Sequence, residues 1–354
     1  MVCFKSMRKV FIVAEVSANH GQDFKNAVSL IKGIKKSGAD AVKFQTYTPD
    51  TLTIDSRNKY FMVKHPRWGG QTLYQLYKKA YTPWKWFKKL KEVTDDLGLL
   101  FFSTAFDKTA VDFLEELDVP IHKIASFELV DLPLIEYMAK TKKPLILSTG
   151  MADISEIEAA VNTARNAGAK EIMLLKCVSS YPADPAEMNL KTISHMSDLF
   201  ASPVGLSDHT LGGGVSVAAV SLGAKMIEKH VTLARKADNP DSFFSIEIDE
   251  LKNLVDNIRI VEKALGKVYY GLAKGEEGGR VLRRSLFVVK DIKRGELFTE
   301  QNIRSIRPAA GLSPKYFGKV LGKKAAIGIK KGTPLDWRLV ALSVDLTNKI
   351  QGDK

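Results

Sequence analysis

The stretch PVGLSDHTLGGGVSVAAVSLGAKMIEKHV, residues 203–231, carries the reading of the fold. An apolar run ends in Gly205-Leu-Ser-Asp-His-Thr210, a Gly212-Gly213-Gly214 turn and a helix of small residues follow, and a second apolar run ends in Ile227-Glu-Lys-His230. Strand, loop, helix, strand is a parallel crossover, whose two strands lie side by side with their carboxyl ends open to one face of the sheet. His209 and His230 would share that face and could hold one divalent metal, with the run Ser207-Asp208 placed to orient one of them. Two histidines leave a coordination sphere open to water or substrate, as a catalytic metal requires. The same side chains could equally be hydrogen-bonded residues at strand ends. The triple glycine reads as a tight turn, or as backbone donors for an anion at the start of a helix.

Outward from this unit the pattern repeats. Short apolar runs at 10–15, 41–45, 99–104, 121–126, 144–149, 171–177, 203–209 and 226–231 alternate with helical spacing. Several follow a glycine that can close the preceding helix: Gly38, Gly98, Gly168 and Gly223. Eight βα units in this length predict a (β/α)8 TIM barrel, typically about 250 residues. A doubly wound open sheet is the alternative, but the first strand is not followed by Gly-x-Gly-x-x-Gly. A helix starting at Asp249 and running to 265 closes the barrel. Residues 1–265 therefore read as the barrel, 266–282 as a glycine-rich linker, and 283–354 as a small mostly-β domain with an internal echo, Asp291-Ile-Lys-Arg-Gly295 and Gly328-Ile-Lys-Lys-Gly332.

A barrel places its chemistry at the carboxyl ends of its strands. Those ends carry Glu15, with Asn19 and His20 just beyond, Lys43, Gln45, Ser103, Thr104, Lys123, Ser126, Ser148, Thr149, Cys177, Ser179, Ser180, Tyr181, Ser207, His209, Glu228 and His230. Lysine is rarely buried without a partner, so Lys43 and Lys123 point either to an anionic ligand or to ion pairs with Glu15, Glu128 or Glu228. The aromatic segment 47–82, long for a loop, is either a lid over the barrel mouth or a helix packed on the outside.

The formal net charge of the 354 residues is +13, and residues 281–354 hold 16 Lys and Arg against 6 Asp and Glu. The basic surface lies in the small domain, where it suits solvation, steering of anionic substrates, or nucleic acid. That region lacks zinc spacing and interleaved aromatics, which argues against nucleic acid. No apolar run is long enough to span a membrane, no secretory signal is seen, and two cysteines, Cys3 and Cys177, make no disulfide framework, so a cytoplasmic protein is expected.

Ala14-Glu-Val-Ser-Ala-Asn-His20, Ala41-Val-Lys-Phe-Gln-Thr-Tyr-Thr-Pro-Asp50, Ser103-Thr-Ala-Phe-Asp107, His122-Lys-Ile-Ala-Ser-Phe-Glu128, Leu147-Ser-Thr-Gly-Met151, Gly205-Leu-Ser-Asp-His-Thr210, Ile227-Glu-Lys-His230 and Arg304-Ser-Ile-Arg-Pro308 occur in this order. Together they make the chain resemble the sialic acid synthase family along nearly its whole length, closest to the branch that makes pseudaminic acid. The resemblance implies a TIM barrel followed by an antifreeze-like (SAF) domain, in a homodimer where each small domain covers its partner's barrel. It implies condensation of phosphoenolpyruvate with an open-chain N-acetylated amino sugar, giving a nine-carbon 2-keto acid and phosphate. It assigns Lys43, Thr104, Lys123, Ser126, Ser148 and Ser207 to phosphoenolpyruvate, His209 and His230 to a divalent Mn2+ or Mg2+, and Glu15, Gln45, Tyr181 and Asp241 to the sugar and the reacting centre. Arg307 would come from the partner's small domain.

The resemblance implies that the metal polarises the sugar aldehyde while C3 of phosphoenolpyruvate attacks it, after which water adds at C2 and phosphate leaves. Glu15 is the candidate for guiding that water or moving a proton, with Lys43 and Lys123 stabilising charge. Ser179-Ser-Tyr-Pro182 and Asp238-Asn-Pro-Asp-Ser-Phe-Phe-Ser245 depart from the neuraminate pattern toward the pseudaminate one, pointing to a 2,4-diacetamido-2,4,6-trideoxy-L-altrose-type sugar. N-acetylneuraminate or legionaminate synthesis is the alternative within the family. A lysine-dependent aldolase and a nucleic-acid-binding protein are the alternatives outside it.

Overall fold

The computed structural model describes residues 3–341 and divides after Gly266 into two compact units. In the first unit eight parallel strands close on themselves: β1 Phe11–Glu15, β2 Ala41–Thr46, β3 Leu100–Ala105, β4 His122–Ile124, β5 Leu145–Ser148, β6 Ile172–Cys177, β7 Val204–Asp208 and β8 Met226–Thr232. Pairing of β1 with β8, from Phe11 opposite Met226 to Glu15 opposite His230, completes the barrel. A two-residue strand, β9 Ile246–Glu247, adds beside the end of β8.

The period-two alternation of each strand explains both the core and the site. One set of residues packs against the surrounding helices: Ile12, Ala14, Val42, Phe44, Phe101, Leu145, Leu147, Leu174, Leu206 and Ile227. The other set fills the barrel interior, with Val13, Ala41, Phe102, Ile121, Ile146, Met173, Leu175 and Met226 in one apolar layer, joined by Phe4 from the N-terminal segment. Two residues further along each strand the inward position turns polar: Glu15, Lys43, Thr104, Lys123, Ser148, Cys177, Ser207 by the register of Gly205, and Glu228. Gly205 is required at its place, because a Cβ there would lie 2.5 Å from the Met226 carbonyl and 2.7 Å from Leu175.

The first crossover helix, Phe24–Ser37, shows how the outer layer forms. Ala27, Leu30, Ile31 and Ile34 recur at helical spacing and are all buried, Asp23 caps the first turn by accepting from Lys25 and Asn26 N–H, and Gly38, at φ 84°, ends it. Most strand bounds shift by about a residue from the sequence reading, and two boundaries differ by more than that. The last barrel helix, Ile248–Leu265, is capped by Glu247 and not by Asp249, because the Glu250 carboxylate accepts the Glu247 N–H at 2.8 Å and so sets the first turn earlier. The fourth strand is only three residues long, and Ser126 opens a 3-10 turn, Ser126–Glu128.

In the second unit β10 Ser285–Val288 pairs antiparallel with β11 Ile303–Ile306 over a core of Leu286, Val288, Ile292, Phe298, Ile303, Val320 and Ile329. The two echo segments pair with each other: Ile292 and Ile329 exchange both backbone hydrogen bonds at 2.8 Å, and Lys330 Nζ meets Asp291 Oδ2 at 2.8 Å. Within the stretch read as a linker lies an exposed 3-10 segment, Lys274–Leu282. Among the described residues no helix is long and apolar enough to cross a membrane.

Candidate active site

The polar inward positions converge on a cleft lined by Lys43, Gln45, Thr104, Lys123, Ser126, Ser148, Cys177, Tyr181, Ser207, His209, Glu228 and His230. At its centre Lys43 Nζ stands 2.7 Å from Glu15 Oε2, 3.5 Å from Glu228 Oε1 and 3.0 Å from Thr104 Oγ1. Gln45 donates to the other Glu15 oxygen at 2.9 Å, Lys123 donates to Ser148 Oγ at 2.7 Å, and Ser207 donates to Glu228 at 3.4 Å. Ser126 Oγ accepts the Gly150 N–H at 3.0 Å. A Cβ on Gly150 would press on that hydroxyl and on Ser179, so glycine is needed beside these serines.

Both readings of the lysines are therefore present at once: they are ion-paired, and they line the cleft. Burial works against every charge here. It lowers the Lys43 pKa, but Glu15 and Glu228 outweigh it and hold that ammonium above its usual value. Burial raises Glu228, yet Lys123 and Lys43 together keep it below the ordinary carboxylate range. Glu15 is left as the carboxyl that can hold a proton: burial pushes it up to about 7, against the pull of Lys43. The open space in the cleft is about 50 Å3, room for one or two waters. An incoming anion would compete with these carboxylates for the lysines.

His209, immediately past the end of β7, and His230, on β8, have ring centroids 5.3 Å apart. His209 Nδ1 lies 2.8 Å from the Val178 carbonyl, which can only accept, so Nδ1 carries a proton and, in the neutral ring, Nε2 carries the lone pair. A backbone carbonyl on the far nitrogen is the usual companion of a metal-bound imidazole. His230 Nδ1 is buried with no hydrogen-bond partner, 3.7 Å from Asp241 Oδ2. An engaged ring beside an orphaned one, with hydroxyl and carboxylate oxygens around them, fits a divalent ion with open positions. Among the described residues no group of three or more His, Cys, Asp and Glu is arranged to hold a metal ion.

Asp208, expected to orient a histidine directly, makes no hydrogen bond to either imidazole. It points away from the cleft, accepting from Thr210, Ser216 and Lys229, because it and Lys229 occupy outward positions of β7 and β8. Glu228, which the strand-end reading named as a possible ion-pair partner of the lysines without giving it a role in the reaction, is placed between the two of them. Its spacing of two from His230 on a strand was the available signal.

Tyr181 closes one side of the cleft, its ring 4.5 Å from His209 and 5.0 Å from Phe244. Asp241 lies deeper, accepting the Ala18 N–H at 3.2 Å, and burial raises its pKa. Within segment 47–82 Trp68 takes the lid role, and Trp84, just past the segment, packs outside. Trp68 reaches over the mouth, its ring 5.6 Å from Tyr181 and its Nε1 donating to the Pro240 carbonyl at 2.7 Å, while Trp84 stacks on Phe113 at 4.7 Å on the outer layer. A larger cavity, about 730 Å3, lies beyond Trp68 between Lys78, Arg67 and Lys236, but the convergent acids, bases and hydroxyls are in the small cleft. Arg307 belongs to the second unit, where it is exposed at the end of β11.

The NeuB family model matches residues 30–270 and the SAF domain model residues 283–341. A pseudaminic acid synthase of Campylobacter jejuni is 44% identical over 332 residues, covering 94% of this chain and 97% of its own. A second, from Helicobacter pylori, is 44% identical over 92% of this chain and 96% of its own. The crystal structure of an N-acetylneuraminic acid synthetase from Leptospira borgpetersenii, in complex with citrate, is 34% identical with a TM-score of 0.68, covering 77% of this chain and 90% of that one.

Proposed function

The chain belongs to the NeuB family, the sialic acid synthases, and from that premise we propose that it condenses phosphoenolpyruvate with 2,4-diacetamido-2,4,6-trideoxy-L-altrose to form pseudaminic acid and phosphate. The observation that carries this reading is the ring of polar inward residues at the strand ends: two buried lysines held by two carboxylates, with hydroxyls and two imidazoles around them.

Lys43 and Lys123 hold the donor's phosphate and carboxylate as point charges, with Thr104, Ser126, Ser148 and Ser207 supplying further hydrogen bonds. Gln45, Tyr181 and Asp241 orient the sugar. His209 and His230 would hold Mn2+ or Mg2+, which supplies Lewis-acid polarisation of the aldehyde. As C3 of the donor bonds to the aldehyde carbon, protonated Glu15 gives its proton to the aldehyde oxygen. Its carboxylate then takes a proton from the water that adds at C2. Lys43 and Lys123 stabilise the intervening charge, and phosphate leaves as the C2 hydroxyl collapses to the ketone. No lysine adduct is required, and Lys43 is held protonated by its two carboxylates, which disfavours it as an amine nucleophile.

Arg307 completes the sugar site from a second copy of the chain, so the working form is a homodimer. The free thiols Cys3 and Cys177 suit a reducing cytoplasm. Phosphate release with manganese, compared among the diacetamido-trideoxy altrose, N-acetylmannosamine and the legionaminate precursor, tests the proposal. Turnover confined to the altrose derivative and abolished by a chelator is expected. Preference for N-acetylmannosamine would sink the sugar assignment, and inactivity on all three would sink the reaction.

A further inference from the structure

Directly behind the two histidines lies a buried ion pair that the reaction does not touch. Asp208 and Lys229 are each 1% exposed and oppose one another in the register of β7 and β8, with Lys229 Nζ 2.8 Å from Asp208 Oδ2. Each is one residue from an imidazole: Asp208 precedes His209, and Lys229 precedes His230. Of the remaining bonds of the pair three grip Thr210 in the His209 turn, and the fourth reaches Ser216 in the helix Gly214–Ser221 that follows. Asp208 Oδ1 accepts from Thr210 N–H at 2.9 Å and from Thr210 Oγ1 at 2.7 Å, and Oδ2 accepts from Ser216 Oγ at 2.5 Å. Lys229 Nζ also donates to the Thr210 carbonyl. Thus Thr210 is held at its N–H, its hydroxyl and its carbonyl by two side chains, one of which sits on the other histidine's strand.

Removing two charges from water is costly, and an apolar pair of similar volume is often neutral or better for stability. The wall between a barrel and its helices offers many apolar alternatives. A buried pair kept at this place does something stability alone does not ask for: it couples the backbone on both sides of His209 to the residue before His230.

We propose that Asp208 and Lys229 are positioning residues that set the spacing and aim of the two imidazoles, and so the affinity for a divalent cation, without contacting the ion. The proposal rests on the reading of His209 and His230 as metal ligands. Outer partners of ligating histidines typically contribute about 10- to 100-fold in metal affinity.

The test uses the full-length protein and manganese alone, with the dissociation constant read by calorimetry and the manganese-induced rise in melting temperature read alongside it. Asp208→Asn/Lys229→Met, which removes both charges and leaves none unpaired, is expected to weaken manganese binding about 10- to 100-fold and to shrink the induced rise accordingly. A purely structural pair would lower the metal-free melting temperature and leave both the constant and the rise as in the wild type, and that result overturns the proposal. Ser216→Ala removes one donor and keeps the ion pair; it is expected to weaken binding by a smaller factor and decides the matter if the double variant does not fold, an unchanged constant counting against the clamp. A wild-type protein with no manganese-dependent rise overturns the metal reading and the clamp with it, whereas a wild-type response retained in both variants overturns the clamp alone.

Discussion

Glu15 and Lys43 face each other across neighbouring strands, in register, and their side chains meet 2.7 Å apart at positions almost wholly removed from water. Lys43 also serves Glu228, so one ammonium answers two carboxylates and the less favoured one keeps its proton. Glu15 is therefore the carboxyl of this trio that titrates near pH 7. If protonated Glu15 starts the reaction, kcat/KM falls as pH rises above about 7. Glu15→Gln should remove that limb and lower kcat about 10²- to 10⁴-fold. A pH profile of phosphate release that keeps the limb in the variant would exclude Glu15.

The two lysines should fail differently. Lys43→Met leaves Glu15 without a cation and Glu228 with only the more distant Lys123, and loss of one partner from a buried pair costs about 3–5 kcal/mol. Lys123 makes only a long contact to Glu228, 3.9 Å, and Lys123→Met should cost distinctly less stability. Both variants should lose about 10²- to 10³-fold in phosphate release, as for a missing stabiliser of transition-state charge. Urea denaturation followed by steady-state assays checks both halves, and equal stability losses would contradict the asymmetry.

Trp68 links the segment after β2 to the loop after β8 through its indole N–H and packs on Tyr181. Trp68→Ala loses one hydrogen bond and one aromatic contact, together worth about 1.5 kcal/mol, or roughly tenfold. That loss should fall on KM for the sugar. A rise confined to KM for phosphoenolpyruvate would place Trp68 on the wrong side of the cleft.

His20, buried just beyond β1, bonds to Thr82 Oγ1 at 3.0 Å, and burial pushes its pKa down to about 4. A histidine whose folded value is depressed contributes stability above its unfolded pKa, and that contribution is lost as pH falls from about 6.5 toward 4. The loss amounts to about 3 kcal/mol. His20→Gln should flatten the stability curve over this window in chemical denaturation, and an unchanged slope would show that other groups carry it.

The strand ends could be read from the sequence because alternation is local. Lys43 with Gln45, Ser207 with His209, and Glu228 with His230 are pairs two apart at the end of apolar runs, and a closed barrel sends every such pair to one mouth. The same rule would have turned Asp208 and Lys229 outward. Proximity to the histidines in sequence obscured it.

By itself, then, the sequence determined the number and order of the βα units, the face on which the polar side chains gather, and the family motifs that mark them. All of these follow from short-range periodicity and from residue types. Only the tertiary structure decided who meets whom: that Glu15 and Glu228 share Lys43, that Val178 fixes the His209 tautomer, that Asp208 clamps a turn instead of an imidazole, and that Trp68 crosses the mouth while Trp84 packs outside. Those outcomes depend on inter-strand register and on the burial that makes an unpaired charge costly, and both arise from contacts between residues distant in the chain.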